Sequence, residues 1–88
     1  MVTGIYNNDF SLVFSKLLGK TGISCYQIHN FTHIDQAYLS RLRSGEKDNP
    51  SPEIIVKICL AFVRLSKNVT LYDIEQLLNS VGRSINLR

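Results

Sequence analysis

The stretch ISCYQIHNFTHIDQAYLSRLRSG, residues 23–45, decides how this chain is read. Ser24 followed three residues later by Gln27 is a capping-box pattern, so a helix opens there. Ile23 before the cap and Ile28 after it have the spacing of a hydrophobic staple. This helix is short and stops near Phe31 or Thr32. Asp35 is a good N-cap for the next one, which carries Leu39 and Leu42 inward until Gly45 ends it. Ile34, apolar in a polar stretch, plugs the angle between the two helices. A pair of short helices joined by a turn of about three or four residues is the unit that fits a DNA major groove.

With Leu39 and Leu42 facing the core, the residues left outside at the start of the second helix are Gln36, Ala37, Ser40 and Arg41. Glutamine can pair with adenine N6 and N7, arginine with guanine O6 and N7, and the Ala37 methyl can touch a thymine methyl.

Outward from this core unit the periodicity stays helical. Phe10, Val13, Phe14, Leu17 and Leu18 form one apolar stripe, with Asp9 as the expected N-cap and Gly19 and Gly22 as the expected end. Glu46 to Pro50 read as a polar loop. Ser51-Pro52-Glu53 then supplies a cap, a proline at the first helical position and an acid in the first turn. Ile54, Ile55, Ile58, Cys59, Phe62 and Leu65 are the expected apolar face of that fourth helix. A fifth begins at Thr70, paired with Asp73, and runs through Leu71, Ile74, Leu77, Leu78 and Val81 to Gly82. No strand pattern of comparable length competes, and nothing repeats internally. The expectation is all-α, five helices.

The 88 residues form one domain, 1–88, because a second core would leave both parts too small. Apolar residues make up 44% and charged residues 19%, an ordinary globular composition that argues against disorder. No apolar run approaches a membrane span, and no signal-peptide pattern opens the chain. Cys25 and Cys59 lack CxxC spacing and read as reduced thiols. A cytoplasmic protein is expected. The net charge of +3 tilts partner choice toward polyanions. Residues 36–67 carry six basic side chains (Arg41, Arg43, Lys47, Lys57, Arg64 and Lys67) against three acidic ones.

Residues 23–45 together with NPSPEIIVKICLAF resemble the Cro/C1-type (XRE-like) helix-turn-helix repressors. The likeness spans about residues 9–66, with the helix-turn-helix at about 24–45, and YLSRLRSG followed by PSPE is its most specific part. It implies a five-helix, lambda-repressor-like DNA-binding domain that reads double-stranded DNA in sequence-specific fashion. The family usually works as a homodimer on a palindromic operator, regulates transcription, most often by repression, and has neither catalysis nor cofactor. Carried over by position, Gln36, Ala37 and Arg41 fall where that family reads bases, and Ser24, Cys25, Arg43, Lys47 and Asn49 near where it grips phosphates. Several positions depart from the pattern. Cys25 stands in place of a frequent glutamine, His29 of a small residue, and His33 of the turn glycine. If His33 keeps left-handed dihedrals, it costs on the order of 1 kcal/mol. Arg43 and Leu18 replace a frequent ion pair, which frees Arg43 to face DNA.

Other readings stand beside these. Tyr38 either packs on the preceding helix or turns its hydroxyl to a phosphate, the second being favoured. Cys25, His29 and His33 recur every four residues, but His33 lies beyond the helix and no fourth ligand is near, so no metal is expected. Cys25 at a helix N-terminus could have a lowered pKa, although an inert thiol is the preferred reading. The acids fall at caps and loops, so no catalytic site and no small-molecule substrate are expected. Residues 70–88, with Leu71, Leu77, Leu78, Val81, Ile85 and Leu87, either close the monomer or form a twofold dimer. The rival function is a protein-interaction module of the same fold, an antitoxin-like or regulatory subunit that does not read bases.

Overall fold

Two turns of the chain are built by one device. Thr21 Oγ1 donates to the Leu17 carbonyl at 2.7 Å and accepts from the Ile23 N–H at 3.2 Å. Thr32 Oγ1 does the same to the Ile28 carbonyl at 2.7 Å and the Ile34 N–H at 3.1 Å. The residue between threonine and isoleucine is left-handed in both, Gly22 at φ 74° and His33 at φ 67°. Each isoleucine is buried, and each is followed by an N-cap, Ser24 or Asp35. The sequences TGIS and THID are thus a local repeat, although no longer stretch of the chain repeats.

The computed structural model describes residues 9–81, and these form five helices in the order α1 (Asp9–Thr21), α2 (Cys25–Thr32), α3 (Gln36–Ser44), α4 (Pro52–Leu65) and α5 (Leu71–Asn79). No strand occurs among the described residues. The fold class is all-α, as the periodicity indicates. None of these helices is long and apolar enough to cross a membrane.

Local chemistry sets most of the boundaries. The Ser24 hydroxyl accepts from the Gln27 N–H while Gln27 Oε1 accepts from the Ser24 N–H, which completes the capping box. Asp35 Oδ2 accepts from the Tyr38 N–H at 3.1 Å, and Ser51 Oγ from the Ile54 N–H at 3.3 Å with Pro52 at the start of α4. Thr70 and Asp73 cap α5 reciprocally. Gly45, at φ 93°, closes α3.

The first helix differs at both ends. Asp9 is itself helical rather than a preceding cap, and Gly19 lies inside the helix, which runs on to Thr21. A glycine costs about 1 kcal/mol in a helix interior. The turn beyond it is held by Thr21 and by Lys20, whose Nζ reaches Asp73 Oδ2 of α5 at 2.5 Å.

The core gathers Phe10, Phe14, Leu17 and Leu18 of α1 with Ile23, Ile28, Ile34, Leu39, Leu42, Ile55, Ile58, Ala61, Phe62, Leu77 and Val81. Phe14 is its hinge: its ring stacks on Phe10 at 5.4 Å and meets the edge of Phe62 at 6.0 Å. Not all of the expected apolar residues reach the core: Leu65 and Leu71 are exposed, Val13, Ile54, Cys59, Ile74 and Leu78 are only half-buried, and Ala61 takes a fully buried place. Pro50, at the end of the polar loop, is buried as well. In α5, Leu77 and Val81 close the monomer and Leu78 is half-buried. Gly82, Ile85 and Leu87 lie outside the described residues.

Candidate nucleic-acid interface

α3 rests on α1 and α2, and its inner side is sealed by Leu39 and Leu42, both 0% exposed. That alone turns Gln36, Ala37, Ser40 and Arg41 outward, at i, i+1, i+4 and i+5 of one helix. All four are exposed. They make one contiguous face that starts at the amino end of α3, and it offers an amide, a methyl, a hydroxyl and a guanidinium. The first turn of α3 is fixed by the Asp35 cap, so this face has a defined orientation.

Arg41 has one charged neighbour, Glu46, with Nε 3.9 Å from Oε1, and both side chains are more than half exposed. Such a pair is worth little and can be exchanged for another acceptor. The Arg41 carbonyl is more heavily used. It accepts from the N–H groups of Gly45 and Lys47, both at 3.1 Å, and from Ser44 Oγ at 3.1 Å. The loop after α3 is thereby tied back to the helix, which sets the backbone of Lys47 at its carboxyl end. Asn49 is exposed two residues further on.

Arg43 is exposed, and its carbonyl accepts from Ser15 Oγ at 3.3 Å, which ties α3 to α1. A shallow depression brings Arg43 together with Ser15, Leu18, Ile23 and Ser24. Ser24, Arg43 and Leu18 thus line one depression. Ser24 is exposed, and its hydroxyl oxygen already serves the cap, which leaves the hydroxyl proton available to an anion.

Two of the sequence-derived positions are set deeper. Tyr38 and Cys25 are half-buried and pack against the core. Packing is thus the observed role of the Tyr38 ring. Burial pushes the Cys25 thiol above its ordinary pKa, and the positive charge of Arg43 pulls it back only in part. The helix N-terminus does not make this thiol acidic. Cys59 is pushed up by burial to about 11.

The bulky His29 is explained by a bond that spacing alone does not show. Its Nδ1 lies 2.7 Å from the Ile34 carbonyl, so Nδ1 carries the proton and donates across the turn. The His29 side chain thereby ties α2 to the turn that leads into α3. The signal available in the sequence was a histidine five residues before the plugging isoleucine. Among the described residues no group of three His, Cys, Asp or Glu side chains could hold a metal ion.

No protein-family model, no curated protein and no solved structure matches this chain.

Proposed function

We propose that this protein is a double-stranded DNA-binding transcriptional regulator of the Cro/C1-like type that lays α3 in the major groove. The observation that carries the reading is the exposure of Gln36, Ala37, Ser40 and Arg41 on one face of a helix whose other face is fully buried. Arg41 pairs with guanine O6 and N7 and gives up Glu46 in doing so. Gln36 reads adenine, and Ala37 packs on a thymine methyl. Ser24, Arg43, Lys47 and Asn49 contact phosphates on either side, where the basic bias of the chain adds a sequence-independent attraction. The Tyr38 hydroxyl and Cys25 stand at the margin of that contact. Two copies related by a twofold axis, meeting through the α5 end, would set their α3 helices about 34 Å apart. Leu71, 78% exposed, and Tyr72, 65% exposed, are described apolar side chains of α5 that support such a contact.

The test is fluorescence anisotropy on a random-sequence duplex over a range of salt, followed by selection of bound duplexes from a random pool. Affinity should fall steeply with salt, by close to 0.9 log units per log unit of salt for each phosphate neutralised. Arg41→Ala should relax sequence preference by about 1–3 kcal/mol at one base pair. Lys47→Ala should weaken all duplexes alike and reduce the salt slope by about one unit. If both variants lose affinity uniformly, the base-reading assignment is wrong. A chain that leaves duplex unbound at low salt would instead be the interaction module.

A further inference from the structure

α4 has a second apolar face that the other described helices leave uncovered. Ile55, Ile58, Ala61 and Phe62 are sealed in the core, whereas Val56, Leu60 and Val63 are each 53% exposed. Their spacing of i, i+4 and i+7 sets them in one row along the helix. Lys57 and Arg64, three residues before and four after Leu60, run along one edge of that row. Glu53 stands at its amino end and is already engaged by Lys57 at 3.5 Å. Among the described residues Arg64 forms no ion pair, so the uncompensated charge beside the row is positive.

We propose that this face of α4 docks an amphipathic helix of another protein, whose apolar seam covers Val56, Leu60 and Val63 and whose flanking carboxylates meet Lys57 and Arg64. A helix laid against a helical row reads it as i, i+4 and i+7 anchors, and the charged edge fixes which partner is admitted. A second copy of this chain fits less well. Antiparallel pairing about Leu60 sets Lys57 within about one residue of a second copy's Arg64 along the same edge, which then carries four cations against two carboxylates. Three half-exposed apolar side chains and two cations offer less than the roughly 800 Å² per partner of a standard interface, so the complex is a weak one. None of these residues belongs to the face proposed to read DNA, and the two proposals stand or fall separately.

The test uses the full chain and two labelled synthetic helices of about 18 residues, identical in their leucine seam and differing only in glutamate or lysine flanks. The glutamate peptide should bind with a Kd of about 10–100 μM, and the lysine peptide about tenfold more weakly or worse. Leu60→Asp should cost the glutamate peptide about tenfold or more, and Arg64→Glu should reverse the preference between the peptides. Circular dichroism checks that each variant is folded, and Leu60→Ser replaces Leu60→Asp if it is not. Equal binding of the two peptides, or binding that survives the Leu60 change in a folded variant, overturns the proposal. So does a dimer in sedimentation equilibrium that Leu60→Asp dissociates, because the face would then belong to a second copy.

Discussion

His33 holds a left-handed conformation, φ 67° and ψ 14°, that costs a side chain with a Cβ roughly 1 kcal/mol. The matching position in the preceding turn is Gly22, at φ 74°. His33→Gly should therefore stabilise the protein, by about 0.5 kcal/mol once the added freedom of the unfolded chain is deducted. That corresponds to a rise of about 2–4 °C in Tm. A thermal melt showing a fall instead would mean that the imidazole itself supports the turn. The thiols make a second case. Burial holds Cys59 at about 11 and raises Cys25 as well, so the native state favours both protonated forms. Because the folded pKa of Cys59 is raised, its contribution to stability is complete below the unfolded value near 8.5 and is lost as pH climbs toward 11. At pH 8, alkylation of Cys59 by iodoacetamide should be about a hundredfold slower in the native than in the denatured protein. Native-state labelling of Cys25 faster than that of a free cysteine would contradict the burial account of its thiol.

Among the elements, the carboxyl end of α1 and the amino end of α5 are joined by one ion pair. The Lys20 ammonium, then the Thr70 N–H, hold the Asp73 carboxyl below its ordinary range, with the Thr70 hydroxyl helping. The folded pKa is depressed, so this stabilisation is present above the unfolded value of about 3.9 and disappears as pH falls through the folded one. Asp73→Asn keeps a neutral acceptor for the Thr70 N–H and loses the charge. It should cost up to about 1 kcal/mol at pH 7 and less at pH 2. Urea midpoints at the two pH values measure this, and an equal loss at both would assign the effect to the cap and not to the charge. Caps of this kind are what the sequence makes legible, because Ser24–Gln27, Asp35, Ser51-Pro52 and Thr70–Asp73 act within one turn. The apolar side of α4 was less legible. Its hydrophobic residues extend most of the way round the helix, so periodicity alone gave Cys59 and Leu65 inner places and passed over Ala61. The positions of α1, α2 and α5 decide which of them a neighbour covers. The outward set on α3 was legible for the opposite reason: two leucines three residues apart leave the inner side no choice. The Arg41–Glu46 pair and the His29 bridge were not, since each needs the chain to fold back on itself.

For the molecule as a whole, the question is whether the α3 face depends on the fold alone or on the details of the core. Phe14 is the place to ask. It is 0% exposed, lies between Phe10 and Phe62, and belongs to one of the two helices on which α3 rests. A chain of 88 residues has about 4–13 kcal/mol of stability in all. Phe14→Ala removes about 3–5 kcal/mol of it, a large share of the total, so this variant should melt at a much lower temperature. Phe14→Leu keeps most of the volume and should cost about 1–2 kcal/mol, which leaves a folded protein with a lower Tm. If the core only holds α3 in place, Phe14→Leu binds duplex with wild-type affinity well below its Tm. Affinity then falls only in step with the folded fraction, and duplex raises the variant's Tm by mass action. Anisotropy at about 10 °C beside a circular dichroism melt separates the cases. A loss of more than about threefold in a fully folded variant would show that core packing adjusts the reading face itself, and α3 could not then be treated as a rigid insert.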